Sequence, residues 1–313
     1  MNDNSSLLTK PVVAALLAIF CTLLWGSAYP AIKIGYELFQ VGSDDTAAKM
    51  AYAGLRFTLG GLLVLAIRPL MGKSQGGIRT LKKRHWKQII ILGLLQTTIH
   101  YTFFYIGLSY TSGSKGAIIN ASSVFFSALL AHFFHADDKI TLRKGLGVVL
   151  GFSAVIFVNL DGDLNFSFLL QGEGFIILAA LLHSSSGLYS KHIAKEVDPV
   201  LLTGLQLAIG GIVLLAIGLL MGADFPTSGF SGYLLMLYLA ALSAIAFSIW
   251  TSLLKYNKVS SITIYNSLIP VFGAILSGLF LKESIAGVQL IGAMVAVSLG
   301  VVLVTYSSSK TPV

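Results

Sequence analysis

Apolar residues in this chain form long unbroken blocks, separated by short polar stretches. A block of about twenty apolar residues is the length that an α-helix needs to cross a hydrocarbon core of about 30 Å. Helices of soluble proteins carry a polar face, whereas these blocks are apolar around the whole helix. We therefore predict an all-α integral membrane protein with ten transmembrane helices, at residues 11–36, 47–70, 87–110, 114–134, 144–160, 172–193, 199–221, 232–254, 259–281 and 285–306.

The composition also indicates a protein that lies in a membrane. Of 313 residues, 55% are hydrophobic and 11% are charged, whereas soluble domains carry about 25% charged residues. The first apolar run continues past residue 30 with no small-residue cleavage site before it, so we expect a retained helix and not a signal peptide. The single cysteine, Cys21, lies inside that run, which excludes a disulfide within the chain.

The positions of Lys and Arg predict the orientation. With a cytoplasmic N-terminus, sixteen of the 21 basic residues fall in cytoplasmic loops and tails, and only Lys49, Lys115 and Lys282 fall outside. Cytoplasmic loops are enriched in Lys and Arg, so we expect a multi-pass protein of the cytoplasmic (inner) membrane with both termini in the cytoplasm. The net charge of +8 then reflects topology, and no nucleic-acid partner is expected. The basic run 79–87 is a cytoplasmic loop, with contact to anionic membrane lipid as the alternative.

The chain contains an internal repeat. Residues 120–139 (NASSVFFSALLAHFFHADDK) align with 266–285 (NSLIPVFGAILSGLFLKESI), with Asp137 opposite Glu283. Residues 54–67 (GLRFTLGGLLVLAI) align with 204–217 (GLQLAIGGIVLLAI). The order is collinear, so we predict two five-helix halves, residues 11–160 and 171–306. Because five is odd, the second half enters the membrane from the opposite side, and such inverted repeats are typical of secondary transporters.

Several motifs together resemble the drug/metabolite transporter superfamily, in its ten-helix form with paired EamA domains. They are WGSAYPAIKIG (25–35), LRFTLGG (55–61), NSLIPVFGAILSGLFLKE (266–283) and GVQLIGAMVAVSLGVVLV (287–304). The first half departs from the family at Val124, where a proline is usual, and at HADDK (135–139). The resemblance implies transport of a small metabolite without ATP, often export of an amino acid or another amphiphilic compound. No cofactor is expected.

Polar side chains in the middle of six spans predict a central cavity. Polar groups in hydrocarbon cost free energy unless they face partners or water, and these six spans form three repeat-related pairs. An aromatic wall would suit an apolar side chain or, through cation–π contacts, an organic amine. The predicted substrate-binding residues are Trp25, Tyr29, Gln96, His100, Tyr101, Tyr105, Asn120, His183, Ser186, Trp250, Tyr265 and Asn266.

Structural roles are the alternatives for these residues. His100 would be a neutral imidazole hydrogen-bonded to the backbone of Gln96 or to a serine, and the serines after His183 would pack helices together. Asn120 and Asn266 would pin helix ends. Aromatic residues also anchor helices at the membrane interface.

Two prolines and two cations are candidates for gating. Pro30 and Pro270 each leave a backbone carbonyl without its helical partner, which predicts hinges, with packing kinks as the alternative. Lys33 and Arg56 lie within spans. Their side chains either extend to the interface or face a vestibule, where they would favour a substrate carboxylate.

Some absences also bear on function. All 13 acidic residues fall in loops or near span ends, and proton-coupled carriers usually keep a carboxylate in the membrane core. We therefore expect uncoupled transport, and otherwise proton coupling would fall to His100 or His183. The sequence contains no HExxH or GxSxG motif, so neither an enzyme nor a metal site is expected, and LDGDL (160–164) is a predicted turn.

Two other functional classes, a channel and a scaffold or sensor, stay open, and so does the oligomeric state. A channel would need a polar stripe across the whole membrane, and a scaffold or sensor would need no central site. Glycines 287, 292 and 300 of the last span permit close helix contact, either within one protomer or in a homodimer.

Overall fold

The computed structural model describes residues 8–71, 77–134, 140–157, 168–257, 262, 264–283 and 287–308. Within these residues ten apolar helices follow one another, which confirms the predicted number. They are α1 (Pro11–Leu38), α2 (Thr46–Ile67), α3 (Lys83–Ser109), α4 (Gly113–Asn120 and Ser122–Phe134), α5 (Leu142–Phe157), α6 (Leu170–Gly174 and Phe175–Ile193), α7 (Pro199–Leu220), α8 (Phe230–Tyr256), α9 (Ile264–Ser267 and Leu268–Leu281) and α10 (Val288–Ser308).

Five of these helices, α1, α2, α3, α7 and α8, are long and apolar enough to cross a membrane by length and composition alone, and α9 and α10 contain shorter apolar segments. Two features discussed from the sequence, the turn at 160–164 and the acidic residues at 137–138, lie outside the described residues.

Helix starts follow from local chemistry. Asp45 precedes α2 and accepts a hydrogen bond from the Ala48 amide at 2.8 Å, and Asp198 precedes α7 and accepts one from the Leu201 amide at 2.9 Å. Such caps satisfy amides that have no partner within the helix. Pro11 and Pro199 occupy the first helical position, where the missing N–H costs nothing.

Helix neighbours repeat between the two halves. The helix α2 packs along α7, and α5 packs along α10. In the same way α1 contacts α8 and α9, while α6 contacts α3 and α4. Exchanging α1 with α6, α3 with α8 and α4 with α9 maps one set of contacts onto the other. A pseudo-two-fold axis between two repeats produces this arrangement.

Glycines bring α2 and α7 into backbone contact. Gly54 and Gly61 of α2 face the backbone of α7, and Gly204, Gly211 and Gly218 of α7 face residues of α2, each set recurring every seven residues. A Cβ atom on Gly61 would lie 2.7 Å from the Ala208 Cα and 2.7 Å from the Gly204 carbonyl oxygen. Small residues permit such close approach between membrane helices. The helices α2 and α7 therefore form the seam that joins the two halves.

Glycines on the last helix have different surroundings. A Cβ atom on Gly300 would lie 2.8 Å from the Gly147 carbonyl oxygen of α5, so Gly300 serves packing within the chain. Gly292 faces the ring of Phe157, also on α5, and a Cβ atom on Gly287 would meet no described atom within 4 Å.

Alternating helix directions divide the loops between two ends of the bundle. The end at which α1 begins, here called the basic face, includes Lys82, Arg84, Lys144, Lys191, Lys195 and Lys255. The other end, called the opposite face, includes Glu37, Asp44, Lys115, Glu173, Asp224 and Glu283.

Side chains tie several helices together at the opposite face. Glu283, at the end of α9, accepts hydrogen bonds from the Gly113 amide (2.8 Å), the Ser114 amide (3.0 Å) and the Ser114 hydroxyl (2.7 Å). Lys115 pairs with Glu173 at 2.9 Å. Ser228 donates to the Leu38 carbonyl at 2.7 Å. These contacts close this end of the bundle.

Ion pairs at the basic face connect α2 and α3 with the α6–α7 connection. Arg68 contacts Asp198 with 3.2 Å between Nε and Oδ1. Glu196 accepts hydrogen bonds from Arg84 and from His85, the latter at 3.1 Å. The bonds from His85 and then Arg84 lower the pKa of Glu196.

This pKa shift predicts a dependence of stability on acid. A carboxylate with a lowered folded-state pKa stabilises the protein above its unfolded pKa, and the contribution is lost as pH falls through the folded value. We expect Glu196→Gln to lower the unfolding midpoint slightly at neutral pH, with the difference from wild type vanishing in acid. Thermal unfolding of both proteins across pH checks this, with Asp224→Asn as an exposed control. A difference that is the same at every pH would contradict it.

Candidate functional site

A cavity of about 460 Å³ lies in the middle of the helix bundle. Side chains from α1, α3, α4, α6, α8 and α9 line it, with Arg56 from α2. The exposed residues Lys191, Lys195 and Lys255 form a rim at the basic face. No described lining residue belongs to the opposite face. The cavity is therefore open toward the basic face and closed toward the other.

Aromatic rings form much of the cavity wall. The rings of Trp25 and Trp250 meet edge to face with centroids 4.9 Å apart, and Phe247 contacts Trp25 at 5.7 Å. Tyr29 lies across from Phe104 at 5.8 Å. This wall presents a broad apolar surface to a bound molecule.

Three amides contribute unsatisfied acceptors. The Asn120 Nδ2 atom donates to the Tyr29 hydroxyl at 2.9 Å, while its Oδ1 atom has no hydrogen bond in the described structure. The Oε1 atom of Gln96 and the Oδ1 atom of Asn266 are also buried without a partner there. Buried polar atoms are normally hydrogen-bonded. The three residues that carry these oxygens line the cavity.

Helix irregularities place these amides. Asn120 ends the first segment of α4, just before the break at Ala121, and Asn266 lies in the 3-10 turn that opens α9. The two positions are repeat-related, and Pro270 leaves the Asn266 carbonyl without its helical partner. Gln96 lies in a π-helical segment, Gly93–Ile99, of α3. Such segments are frequent at functional sites.

Two histidines lie side by side in the cavity wall. The rings of His100 and His183 have centroids 5.2 Å apart. The Nδ1 atom of His100 lies 3.1 Å from the Gln96 carbonyl oxygen, and it must carry the hydrogen because a carbonyl only accepts. This is the backbone contact proposed above as the structural alternative for His100. It leaves Nε2 as the acceptor on the ring.

Among the residues that the structure describes, Arg56 is the one charged side chain lining the middle of the cavity. Its side chain does not reach the membrane interface, since the residue is only 3% exposed. Its Nε atom donates to the Leu239 carbonyl and to the Ser243 hydroxyl, both at 3.2 Å. Its Nη1 atom donates to the Tyr105 hydroxyl at 2.7 Å.

Several predicted site residues lie outside the cavity wall. Tyr105 is buried behind Arg56, and Ser186 is buried with its hydroxyl donating to the His183 carbonyl at 3.0 Å. Tyr265 packs in an apolar cluster of α1 and α8 with Ala14, Ala18 and Leu253. The remaining predicted binding residues, Trp25, Tyr29, Gln96, His100, Tyr101, Asn120, His183, Trp250 and Asn266, all line the cavity.

The gating candidates other than Arg56 also lie outside the wall. Lys33 is half-buried on α1 within Coulomb range of Glu283 and Glu37, near the opposite face. Pro30 and Pro270 are buried in α1 and α9. These two helices are in close contact, because a Cβ atom on Gly26 would lie 2.6 Å from the Phe272 Cβ.

Sequence reasoning missed part of the wall. Phe104, Phe247 and Ile269 line the cavity, but an apolar side chain in a membrane helix gives no signal that separates it from packing. Thr251 and the three rim lysines also line it. The sequence explains these lysines by topology alone, although each lies at the end of a helix that carries polar residues at mid-depth, which is a usable signal.

No group of three or more His, Cys, Asp or Glu residues that could hold a metal occurs in the part of the chain that the structure describes. The cavity wall presents aromatic, amide, imidazole and guanidinium groups.

Comparison with known proteins decides the family. The model of the EamA-like transporter family matches residues 12–160 and 170–306. The chain belongs to the EamA-like transporter family. A solved crystal structure with 17% identity superposes with a TM-score of 0.69 over 94% of this chain and 97% of that one, which shows a shared fold. The resemblance deduced from the motifs is thus confirmed.

Several proteins with a similar sequence are named as transporters. YvbV of Bacillus subtilis (strain 168) is 25% identical over 91% of this chain and 89% of its own length, and YoaV of the same organism is 23% identical over 94% and 97%. A WAT1-related chloroplastic protein of Arabidopsis thaliana is 26% identical over 87% of this chain. The chain spans 64% of that relative's length. As an EamA-like protein, this chain is a multi-pass membrane transporter.

Proposed function

We propose that this EamA-like transporter exports a small amphiphilic metabolite, such as an amino acid, across the cytoplasmic membrane by alternating access. The observation that carries the proposal is the central cavity, open at the basic face and closed at the opposite face. With both termini in the cytoplasm, as the distribution of basic residues predicts, the open end faces the cytoplasm. The substrate then enters from inside the cell.

The second conformation follows from the repeat. We propose that residues 11–160 and 171–306 are inverted copies, so that each half can adopt the arrangement of the other. Exchanging the two arrangements closes the basic face and opens the opposite one around the same cavity. No acidic residue of the described chain lines the cavity, which supports transport without a coupled proton. The proposal assigns the chain no catalytic activity.

The cavity walls support an amphiphilic substrate. The pair Trp25 and Trp250 offers an apolar surface, and Gln96, Asn120 and Asn266 offer hydrogen-bond acceptors. An amino acid with an apolar side chain presents both kinds of surface. The aromatic pair alone favours a second candidate, an organic amine held by cation–π contacts.

Flux tests the function. Purified protein reconstituted into liposomes that contain labelled phenylalanine should release the label faster than protein-free liposomes, and excess unlabelled phenylalanine should slow the release. Release should also exceed that from liposomes holding Asn120→Ala, because this variant removes the amide that holds Tyr29. Equal rates with and without protein, for phenylalanine and for a panel of amines and other amino acids, would contradict the proposed function.

Tryptophan fluorescence gives an independent measure of binding. Of the three tryptophans, Trp25 and Trp250 line the cavity, and Trp86 packs near the basic face. In Trp86→Phe, emission therefore comes from the cavity alone. We expect a transported compound to change this emission in a saturable manner. A compound that is transported without changing the emission would place the binding site elsewhere.

A further inference from the structure

Arg56 is a buried cation without a carboxylate partner. In the described part of the chain it forms no ion pair, and its only hydrogen-bond acceptors are Leu239, Ser243 and Tyr105. The ionisable side chains that act on it are tyrosines 52, 101 and 105, and its Cζ atom lies 4.9 Å from the centroid of the Phe57 ring. A buried charge that lacks a counter-ion costs much free energy. A protein that keeps one in its transport cavity has a use for it.

The guanidinium is arranged to accept an anion. Arginine has five N–H donors in a planar fork that fits a carboxylate. Nε and Nη1 are held by α8 and α3, which fixes the plane of the fork. The Nη2 atom donates no hydrogen bond to a described residue, and Arg56 lines the cavity. The Arg56 side chain is thus oriented by its neighbours, with donor capacity left over for a ligand.

The rest of the cavity carries the same sign of charge. The rim residues Lys191, Lys195 and Lys255 are cationic, and no Asp or Glu of the described chain lines the cavity. A cleft lined by one sign of charge concentrates ligands of the opposite sign. An organic cation would meet this field with no compensating carboxylate, so the field opposes the organic amine.

We propose that Arg56 binds the carboxylate of the transported substrate, and that the site takes apolar carboxylates and excludes the corresponding amines. The apolar body of the substrate lies against the wall of Trp25 and Trp250, while the carboxylate contacts Arg56. This proposal rests on the proposed function and assigns its substrate class.

Three compounds that share one ring test the proposal. Phenylpropanoate lacks the amino group of phenylalanine, and phenethylamine lacks its carboxylate. In detergent-purified Trp86→Phe protein, we expect phenylalanine and phenylpropanoate to change the fluorescence and phenethylamine to have no effect. The same two compounds should leave loaded proteoliposomes faster than the amine. Binding and release of the amine in preference to both carboxylates would overturn the proposal and leave the transport function standing. If none of the three compounds binds or moves, both the proposal and the amino acid assignment fail.

Variants of Arg56 test whether this side chain binds the substrate or only stabilises the fold. We expect Arg56→Gln to raise the apparent Kd of phenylpropanoate at least about tenfold, because a charge-assisted bond is lost, and Arg56→Lys to restore part of the affinity. Arg68→Gln is the matched control, since Arg68 pairs with Asp198 away from the cavity. It should alter stability but not the preference for carboxylates. An Arg56→Gln protein that folds and keeps the wild-type preference would overturn the proposal, and the wild-type comparison of the three compounds decides it if the variant does not fold.

Discussion

The Gly61→Ala variant should lose much of its stability, although it adds a single methyl group. The new Cβ atom would lie 2.7 Å from both the Ala208 Cα and the Gly204 carbonyl oxygen, and backbone atoms cannot rotate away. The helices α2 and α7 would have to separate along the seam that joins the two halves. Overpacking of this kind costs about 3 kcal/mol, which corresponds to a decrease in unfolding midpoint on the order of 10 °C.

Gly287→Ala is the control for this prediction. It makes the same change where a Cβ atom would meet no described atom within 4 Å. Thermal unfolding of the two purified variants, measured beside wild type, compares them directly. Similar midpoints for the Gly61 and Gly287 variants would show that α2 and α7 have room for a side chain between them.

The second large effect is expected at the closed face. In Glu283→Gln the side chain keeps its shape but loses its charge and one of the two acceptor oxygens that bind the N-terminus of α4. A carboxylate there is favoured both by the amides and by the helix dipole. A hydrogen bond to a charged group contributes about 1.5–3 kcal/mol. Its loss should shift the balance toward opening of this face at least about tenfold.

Cysteine accessibility measures that shift. Cys21 is the single cysteine, so Cys21→Ala gives a cysteine-free protein. Ser123 lines the cavity, and Ser123→Cys then reports on access to it. We expect Glu283→Gln to increase the rate of labelling from the opposite face, with Asp224→Asn, an exposed carboxylate on that face, as the control. Equal rates in the two variants would show that the Glu283 contact does not hold the face closed.

The helices could be predicted well because hydrocarbon imposes a simple rule. Every backbone amide in a membrane span must be paired within a helix or barrel, so twenty-residue apolar blocks translate directly into α1 to α10. The rule carries no information on the hydrogen-bond register inside a helix. The π-helical segment Gly93–Ile99 and the break of α4 at Ala121 were therefore not predicted.

The candidate site could be predicted only in outline. Polarity at mid-depth selected the six helices that line the cavity, since a polar group there needs a partner or water. When a helix is surrounded by other helices, the polarity of a residue does not tell whether its side chain faces the cavity or a neighbouring helix. Tyr105 and Ser186 found partners in Arg56 and the His183 carbonyl instead of the cavity. Phe247 shows the converse, because its position in the wall depends on the rotation of α8.

Arg56 shows why the role of a charged side chain could not be predicted from the sequence alone. From the sequence, extension to the interface and exposure to a vestibule were equal alternatives. Its bonds to Leu239 on α8 and Tyr105 on α3 depend on the packing of three helices that are far apart in the chain. Only that packing separates the alternatives.

Alternating access is tested most directly by labelling Ser123→Cys, in the cysteine-free background, from each side of sealed vesicles with a membrane-impermeant maleimide. One cavity that opens to each side in turn should react from both sides, faster from the basic face, and a bound substrate should slow both reactions. A cysteine that reacts from the basic face only, in wild type and in Glu283→Gln alike, would contradict transport through this cavity.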